Sequence, residues 1–319
     1  MSAKAVAALL LSVAMASDAH TQSPPPRPVF GARTDLVYVT VTVQDAHGRI
    51  VPDLPDSAFE VREDGKPRDI EVFSHGADEL VALDVALLLD TSGSMDAELQ
   101  SAQRAALAVL LRIPRLRRRT VVSFDTDIRF WRADADPAAL LPEILAARPV
   151  NGASAIRSAL VAALDALIRD GSGRGALILL TDGVDYGSAV SETQLFRAIE
   201  SANVAIYPIP FVPSNFTSVP NADLRRGPAA RLGTGFPTTP DTLAARGFLT
   251  RMAETSGGRV ILPTGHLESA LDGLVEELSS QYVIGFTPAA SQRGRAHRLD
   301  VRVSDRRLKL RHRERYVAR

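Results

Sequence analysis

The run Val85-Ala86-Leu87-Leu88-Leu89-Asp90 is apolar without a break and stops at a carboxylate. An apolar run bounded by a turn predicts a strand buried on both faces. A second run over 176–180 ends in Thr181-Asp182-Gly183, and further strands are expected over 120–124, 204–209, 259–262 and 282–286. Helical patterns fill the gaps, over 97–111, 137–147, 155–168, 192–202, 241–255 and 267–280. In the first of these, Ala102, Ala105, Ala106 and Val109 follow the spacing of one narrow face, small enough to lie close on a sheet. Strand alternating with helix from 80 to 287 implies an α/β fold with a doubly wound, parallel-type sheet.

The flanks follow another period. Residues 35–45 alternate apolar with polar, as a half-buried strand does, and 59–73 reads as two strands joined at Asp64-Gly65. That unit, 35–78, is too small to be secure alone. Residues 298–303 and 308–313 alternate as well. The C-terminal part, 288–319, is therefore expected to complete a small β-sandwich with the N-terminal part, the α/β domain being inserted between them. Basic residues on these last strands read as a solvated face, since no aromatic stacking platform accompanies them.

Two stretches stand apart. Residues 112–119 hold five arginines just past a helix end, which reads as a solvated turn. Residues 211–240, rich in Pro, Gly, Asn and Thr, form a long insertion, of the kind that is functional or disordered.

Residues 1–19 have one lysine, a short apolar core and a small-residue end, which fits a secretory signal peptide; a frayed helix is the other reading. A proline-rich linker, 20–34, follows. No later segment is apolar enough to be expected as a membrane span. Export to the periplasm or the exterior is the expectation. Thirty-seven basic and 37 acidic residues cancel, which argues against general attraction to nucleic acid. The chain has no cysteine, so disulfides, thiol catalysis and cysteine-bound zinc are excluded.

The chemistry sits after the first strand. Asp90, Ser92 and Ser94 would project from one tight loop at the carboxyl end of the sheet, where ligand sites form. A carboxylate and two hydroxyls are hard oxygen donors, suited to a divalent cation that keeps several waters. The same residues also fit a simple helix cap, and Thr181-Asp182-Gly183 a simple turn.

Asp-Xaa-Ser-Xaa-Ser after a buried strand resembles the metal-ion-dependent adhesion site of von Willebrand factor A domains. That resemblance places Ser154, in Asn151-Gly152-Ala153-Ser154, where the family has a threonine, and Asp182 in the third loop. Ser154 also fits a plain helix cap. The strands at 39–43 and 59–65 before the loop, with 281–288 after the last helix, extend the likeness to the von Willebrand factor A-related proteins of acidobacteria. It implies a cation, Mg2+ or else Mn2+ or Ca2+, held by Asp90, Ser92, Ser94, Ser154 and Asp182. It further implies a protein partner whose acidic residue completes the coordination, and no catalysis. Asp125 and Asp127 lie just past a strand end, which reads as loop solvation, a place beside the metal face being the other reading.

A phosphatase using Asp90 is the competing class, but a second aspartate two residues on is replaced by Ser92. Neither Ser92 nor Ser94 lies in a Gly-Xaa-Ser-Xaa-Gly elbow, and the six histidines lack metal-ligand spacing. A secreted scaffold with an unused site is the third reading.

Overall fold

The computed structural model describes residues 36–75, 82–113, 116–133, 136–150, 152–169, 174–211, 240–262, 267–289 and 294–318. The expected leader, linker and nearly all of the 211–240 insertion lie outside the described residues.

Four strands come first: β1 (Val37–Gln44), β2 (Phe59–Glu63), β3 (Lys66–Arg68) and β4 (Val72–His75). The α/β part follows with β5 (Leu83–Asp90), α1 (Leu99–Arg112), β6 (Leu116–Phe124), β7 (Ile128–Ala133) and α2 (Leu141–Ala146). It continues with α3 (Ile156–Arg169), β8 (Gly175–Thr181), α4 (Glu192–Ser201), β9 (Val204–Pro210), α5 (Pro240–Ser256) and α6 (Leu267–Ser280). The chain closes with β10 (Tyr282–Phe286), β11 (Ala296–Val303), β12 (Lys309–Arg311) and β13 (Arg315–Val317).

All eight residues of β5 are buried, because this strand is the centre of a five-stranded sheet in the order β7-β6-β5-β8-β9. Val85, Leu87 and Leu89 face one layer, with α1, α2 and α6. Ala86 and Leu88 face the other, with α3, α4 and α5. An apolar side chain at every position is what two covered faces demand. The small stripe on α1 is buried as expected: Ala102, Ala105, Ala106 and Val109 are each 0% exposed.

The sheet is mixed rather than purely parallel. β5, β6, β8 and β9 run parallel, while β7 folds back antiparallel on β6. Sequence reading missed β7, whose Arg-Phe-Trp-Arg stretch is half exposed at the sheet edge.

Strands 282–286 and 259–262 were expected in this sheet, and neither joins it. β10 lies between β1 and β4, antiparallel to both. An apolar pentapeptide reads the same wherever it is covered on both sides, so pattern alone could not place it. Residues 259–262 form no strand and meet β9 through the Ile261 N–H, 2.8 Å from the Pro208 oxygen. Gly257-Gly258 turns the chain sharply just before: a Cβ on Gly258 would stand 2.0 Å from the Ile206 oxygen.

The flanking strands build two four-stranded antiparallel sheets, β12-β1-β10-β4 and β13-β11-β2-β3. N- and C-terminal segments pair as expected, β1 with β12 and β2 with β11. The sheets share one core containing Val39, Val41, Val61, Tyr282, Ile284, Phe286, Leu299 and Tyr316.

The arginines depart from expectation. β6 begins at Leu116, so Arg117, Arg118 and Arg119 are strand residues rather than a solvated turn. Arg117 donates through Nε and a terminal nitrogen to Asp84, which is 0% exposed and needs a charge partner. Arg112 does sit in solvent, paired with Asp272 at 2.6 Å. Arg311 on β12 and Arg313 just after it turn inward instead of decorating a solvated face. Arg313 donates to the oxygens of Ala202 (2.8 Å) and Tyr38 (2.6 Å), tying the α/β layer to β1.

Arg311 reaches Glu277 of α6, a carboxylate with 0% exposure. Glu277 also accepts from Arg259 (2.7 Å), Tyr207 (2.9 Å) and Thr42 (3.4 Å), and Gln281 donates to Tyr207 at 2.7 Å. Side chains from α6, β9, β1 and β12 thus meet on one buried charge. Burial pushes the Glu277 carboxyl up, but the Arg311 and Arg259 guanidiniums outweigh it and hold it below its ordinary value.

Candidate metal centre

Asp90 ends β5 and is 0% exposed. Its Oδ1 accepts the Ser92 N–H at 3.0 Å, which turns the chain out of the strand. A short 3-10 turn, Gly93–Met95, follows, pinned by Met95, fully buried in the core. The turn leaves Ser92 buried and Ser94 exposed, with their hydroxyl oxygens 3.2 Å apart.

The second loop is fastened to the first. The Val150 N–H donates to the Thr91 oxygen at 2.8 Å, and Val150 bridges Ser92 in parallel. Ser154, 3% exposed, then donates its hydroxyl proton to Asp90 Oδ2 at 3.0 Å. Its carbonyl accepts the N–H groups of Tyr186 (3.1 Å) and Gly187 (2.9 Å) from the third loop.

The third loop leaves β8 at Thr181, whose hydroxyl donates to Asp90 Oδ2 at 2.6 Å and accepts the Gly183 N–H at 3.0 Å. Gly183 has φ +86°, and a Cβ there would lie 3.0 Å from Leu249 Cδ1, so glycine is required. Asp182 is half-buried, its Oδ1 accepting the Val184 N–H at 3.0 Å.

Asp90, Ser92, Ser94 and Ser154 are thus linked by hydrogen bonds, and Asp182 stands near enough for its charge to act on Asp90. Burial raises the pKa of Asp90 most; hydrogen bonds from Ser92 and Thr181 pull it down, and the Asp182 charge raises it again. A cation beside these carboxylates would relieve that penalty.

The donor set fits a small hard cation. A serine hydroxyl that donates inward keeps its lone pairs for another partner. Adjacent oxygens of an octahedron around Mg2+, at about 2.1 Å from the ion, stand about 3 Å apart, close to the Ser92–Ser94 spacing. Among the described residues no three His, Asp or Glu side chains cluster as a metal site, so a cation here would draw on hydroxyl and water oxygens as well as carboxylates.

Sequence reading missed Thr181, although a hydroxyl residue ending an apolar strand beside Asp182 was a visible signal. It also favoured loop solvation for Asp125. Asp125 is 1% exposed and braces the first loop, accepting from Thr91 Oγ1 (3.2 Å), Arg129 (3.1 Å) and the Asp127 N–H (2.9 Å). Its carbonyl accepts the Ala155 N–H at 2.9 Å, so it also holds the second loop. Asp127 is solvated as expected, its side chain 76% exposed.

Residues 85–184 match the family model of the von Willebrand factor type A domain. No curated protein matches the chain. Among solved structures, the conserved hypothetical protein BatB from Bacteroides thetaiotaomicron is similar at 17% identity and TM-score 0.45, covering 62% of this chain and 98% of that one. A von Willebrand factor type A protein from Catenulispora acidiphila is similar at 16% identity and TM-score 0.45, covering 82% of this chain and 73% of that one. The PilB minor pilin from Streptococcus sanguinis is similar at 13% identity and TM-score 0.43, covering 62% of this chain and 60% of that one.

Proposed function

We propose that this chain, whose residues 85–184 match the von Willebrand factor type A domain model, is an exported binding protein that holds a divalent cation and, through it, a carboxylate of a protein partner. Ser92, Ser94 and Ser154 would supply hydroxyl oxygens, and Asp90 and Asp182 would hold the ion directly or through water. A bound Mg2+ would supply an open coordination position for an acidic side chain.

The observation that carries this reading is the convergence of three separate loops on Asp90, with Ser154 at 3.0 Å and two hydroxyls in Ser92 and Ser94 spaced 3.2 Å apart beside it. A plain helix cap needs none of the cross-loop contacts. Binding rather than hydrolysis is favoured because Asp90 is 0% exposed and both its oxygens accept hydrogen bonds, which suits it poorly to attack a substrate. No helix among the described residues is long and apolar enough to cross a membrane.

Calorimetric titration with Mg2+ and Mn2+ tests it. Saturable binding is expected in the wild type and none in Asp90→Ala; an unchanged isotherm in the variant would reject the site. Asp125→Ala, which touches no proposed ligand but releases Thr91 of the first loop, should weaken binding by about 10–100-fold, as loss of ligand-orienting partners does elsewhere. Full affinity in that variant would remove Asp125 from the supporting role.

A further inference from the structure

We propose that the partner segment carries an apolar, preferably aromatic, side chain within two residues of its carboxylate, and that Tyr186 and Val150 select it. The inference rests on the cation reading above and adds the chemistry that surrounds the ion.

Tyr186 is 75% exposed and Val150 is 40% exposed, both on loops that build the centre. Single exposed apolar residues are ordinary. These two are set apart by where their backbones are fixed. Tyr186 donates its N–H to the Ser154 oxygen at 3.1 Å, and Val150 is bridged to Ser92. The candidate ligands Ser154 and Ser92 are therefore each paired through the backbone with a residue whose apolar side chain is exposed.

Between the two lies a low floor. Gly152, Ala153 and Gly187 carry nothing larger than a methyl; a Cβ on Gly187 would stand 3.3 Å from Ala153 Cβ, and one on Gly152 3.6 Å from Thr126 Cγ2 and 4.0 Å from Val150 Cγ1. An extended segment advances about 3.3 Å per residue, so residues one or two positions from a carboxylate on the ion pass over the loops that surround it. Asp185, the further carboxylate of the third loop, does not compete for the ion. It is held by the Arg157 N–H (2.8 Å) and the Ser188 hydroxyl (2.7 Å). A partner with a bare carboxylate would leave Tyr186 and Val150 in water. One with an aromatic neighbour covers them, and a tyrosine on a fixed backbone is a common anchor for such contacts.

The test uses two capped, fluorescently labelled peptides, Gly-Gly-Asp-Gly-Gly and Phe-Gly-Asp-Gly-Phe, with an Asn-for-Asp version of the second. Their binding to the full chain is followed by polarisation in Mg2+ and in EDTA. In Mg2+ the aromatic peptide should bind about tenfold more tightly than the glycine peptide. Tyr186→Ala should erase that preference, Val150→Ser should reduce it, and the Asn version should not bind. Calorimetric Mg2+ affinity should be the same in Tyr186→Ala as in the wild type. Equal affinity for the two acidic peptides, or a preference that survives both substitutions, overturns the selectivity and leaves the metal site standing. Mg2+ binding with no uptake of either peptide overturns it equally. Absence of Mg2+ binding rejects this proposal together with the reading beneath it.

Discussion

Glu277→Ala should lower the midpoint of thermal unfolding by roughly 5–10 °C, the largest loss expected from one side chain outside the core. Glu277 is 0% exposed and accepts from Arg259, Arg311, Tyr207 and Thr42. Removing one member of a buried ion pair costs about 3–5 kcal/mol, because the opposite charge is left without compensation. Arg259 and Arg311 keep 35% and 24% side-chain exposure, so water softens the loss towards about 3 kcal/mol. Glu277→Gln keeps acceptors for Tyr207 and Thr42 while removing the charge, and should fall between. The dependence on pH separates charge from packing. The carboxyl is held below its ordinary value in the folded chain, so its contribution is present above the unfolded pKa and is lost as pH falls through the lower folded one. The gap between wild type and Glu277→Gln should therefore be widest near neutrality and close as the solution is acidified below about pH 4. A gap that does not change with pH would assign the effect to shape alone.

That charge joins the two halves of the molecule, and it was invisible in the sequence for a definite reason. Glu277 lies on a helix whose apolar stripe is legible, but its partners Thr42, Tyr207, Arg259 and Arg311 are scattered along most of the chain. Nothing local marks any of them. Arg117 was misread for the same cause: an arginine run looks solvated until the buried Asp84 that it serves is known. The central strands were legible because burial on both faces removes every polar residue from 85 to 89 and from 176 to 180, a local signal. Membership of a sheet was not. Residues 282–286 are as apolar as 85–89, and only the pairing of Val283 with Thr40 and Ser74 puts them among the sandwich strands.

At the candidate centre the division is similar. Asp90, Ser92 and Ser94 are contiguous, so their juxtaposition follows from one turn. Ser154 and Asp182 were reached through the family resemblance, and Ser154 does meet Asp90 in the structure. Thr181 was missed and Asp125 was read as solvated because each acts on another loop, at 2.6 Å from Asp90 Oδ2 and 3.2 Å from Thr91 Oγ1 respectively. Single-residue signals locate the groups that project; the groups that brace them emerge only from packing.

Asp90→Asn should separate what the ion needs from what the fold needs. In EDTA the variant is expected to unfold at or above the wild-type temperature. An ionised carboxylate at 0% exposure, with the Asp182 charge nearby, is a cost to the metal-free fold that its hydrogen bonds offset only in part. Asparagine is neutral and nearly the same shape. The Ser154 and Thr181 hydroxyls that donate to Asp90 Oδ2 can rotate to accept from an amide instead. With Mg2+ added the order should reverse. A ligand that binds only the folded chain stabilises it by about 2.7 kcal/mol at a hundredfold excess over its Kd, and the wild type alone should gain this. The crossing of the two melting temperatures on adding Mg2+ is the expected signature, because a merely structural Asp90 would make the variant the weaker protein in both conditions. Equal Mg2+ shifts in both proteins would move the cation to another place on the chain, and no shift in either would leave Asp90 as the cap of a turn.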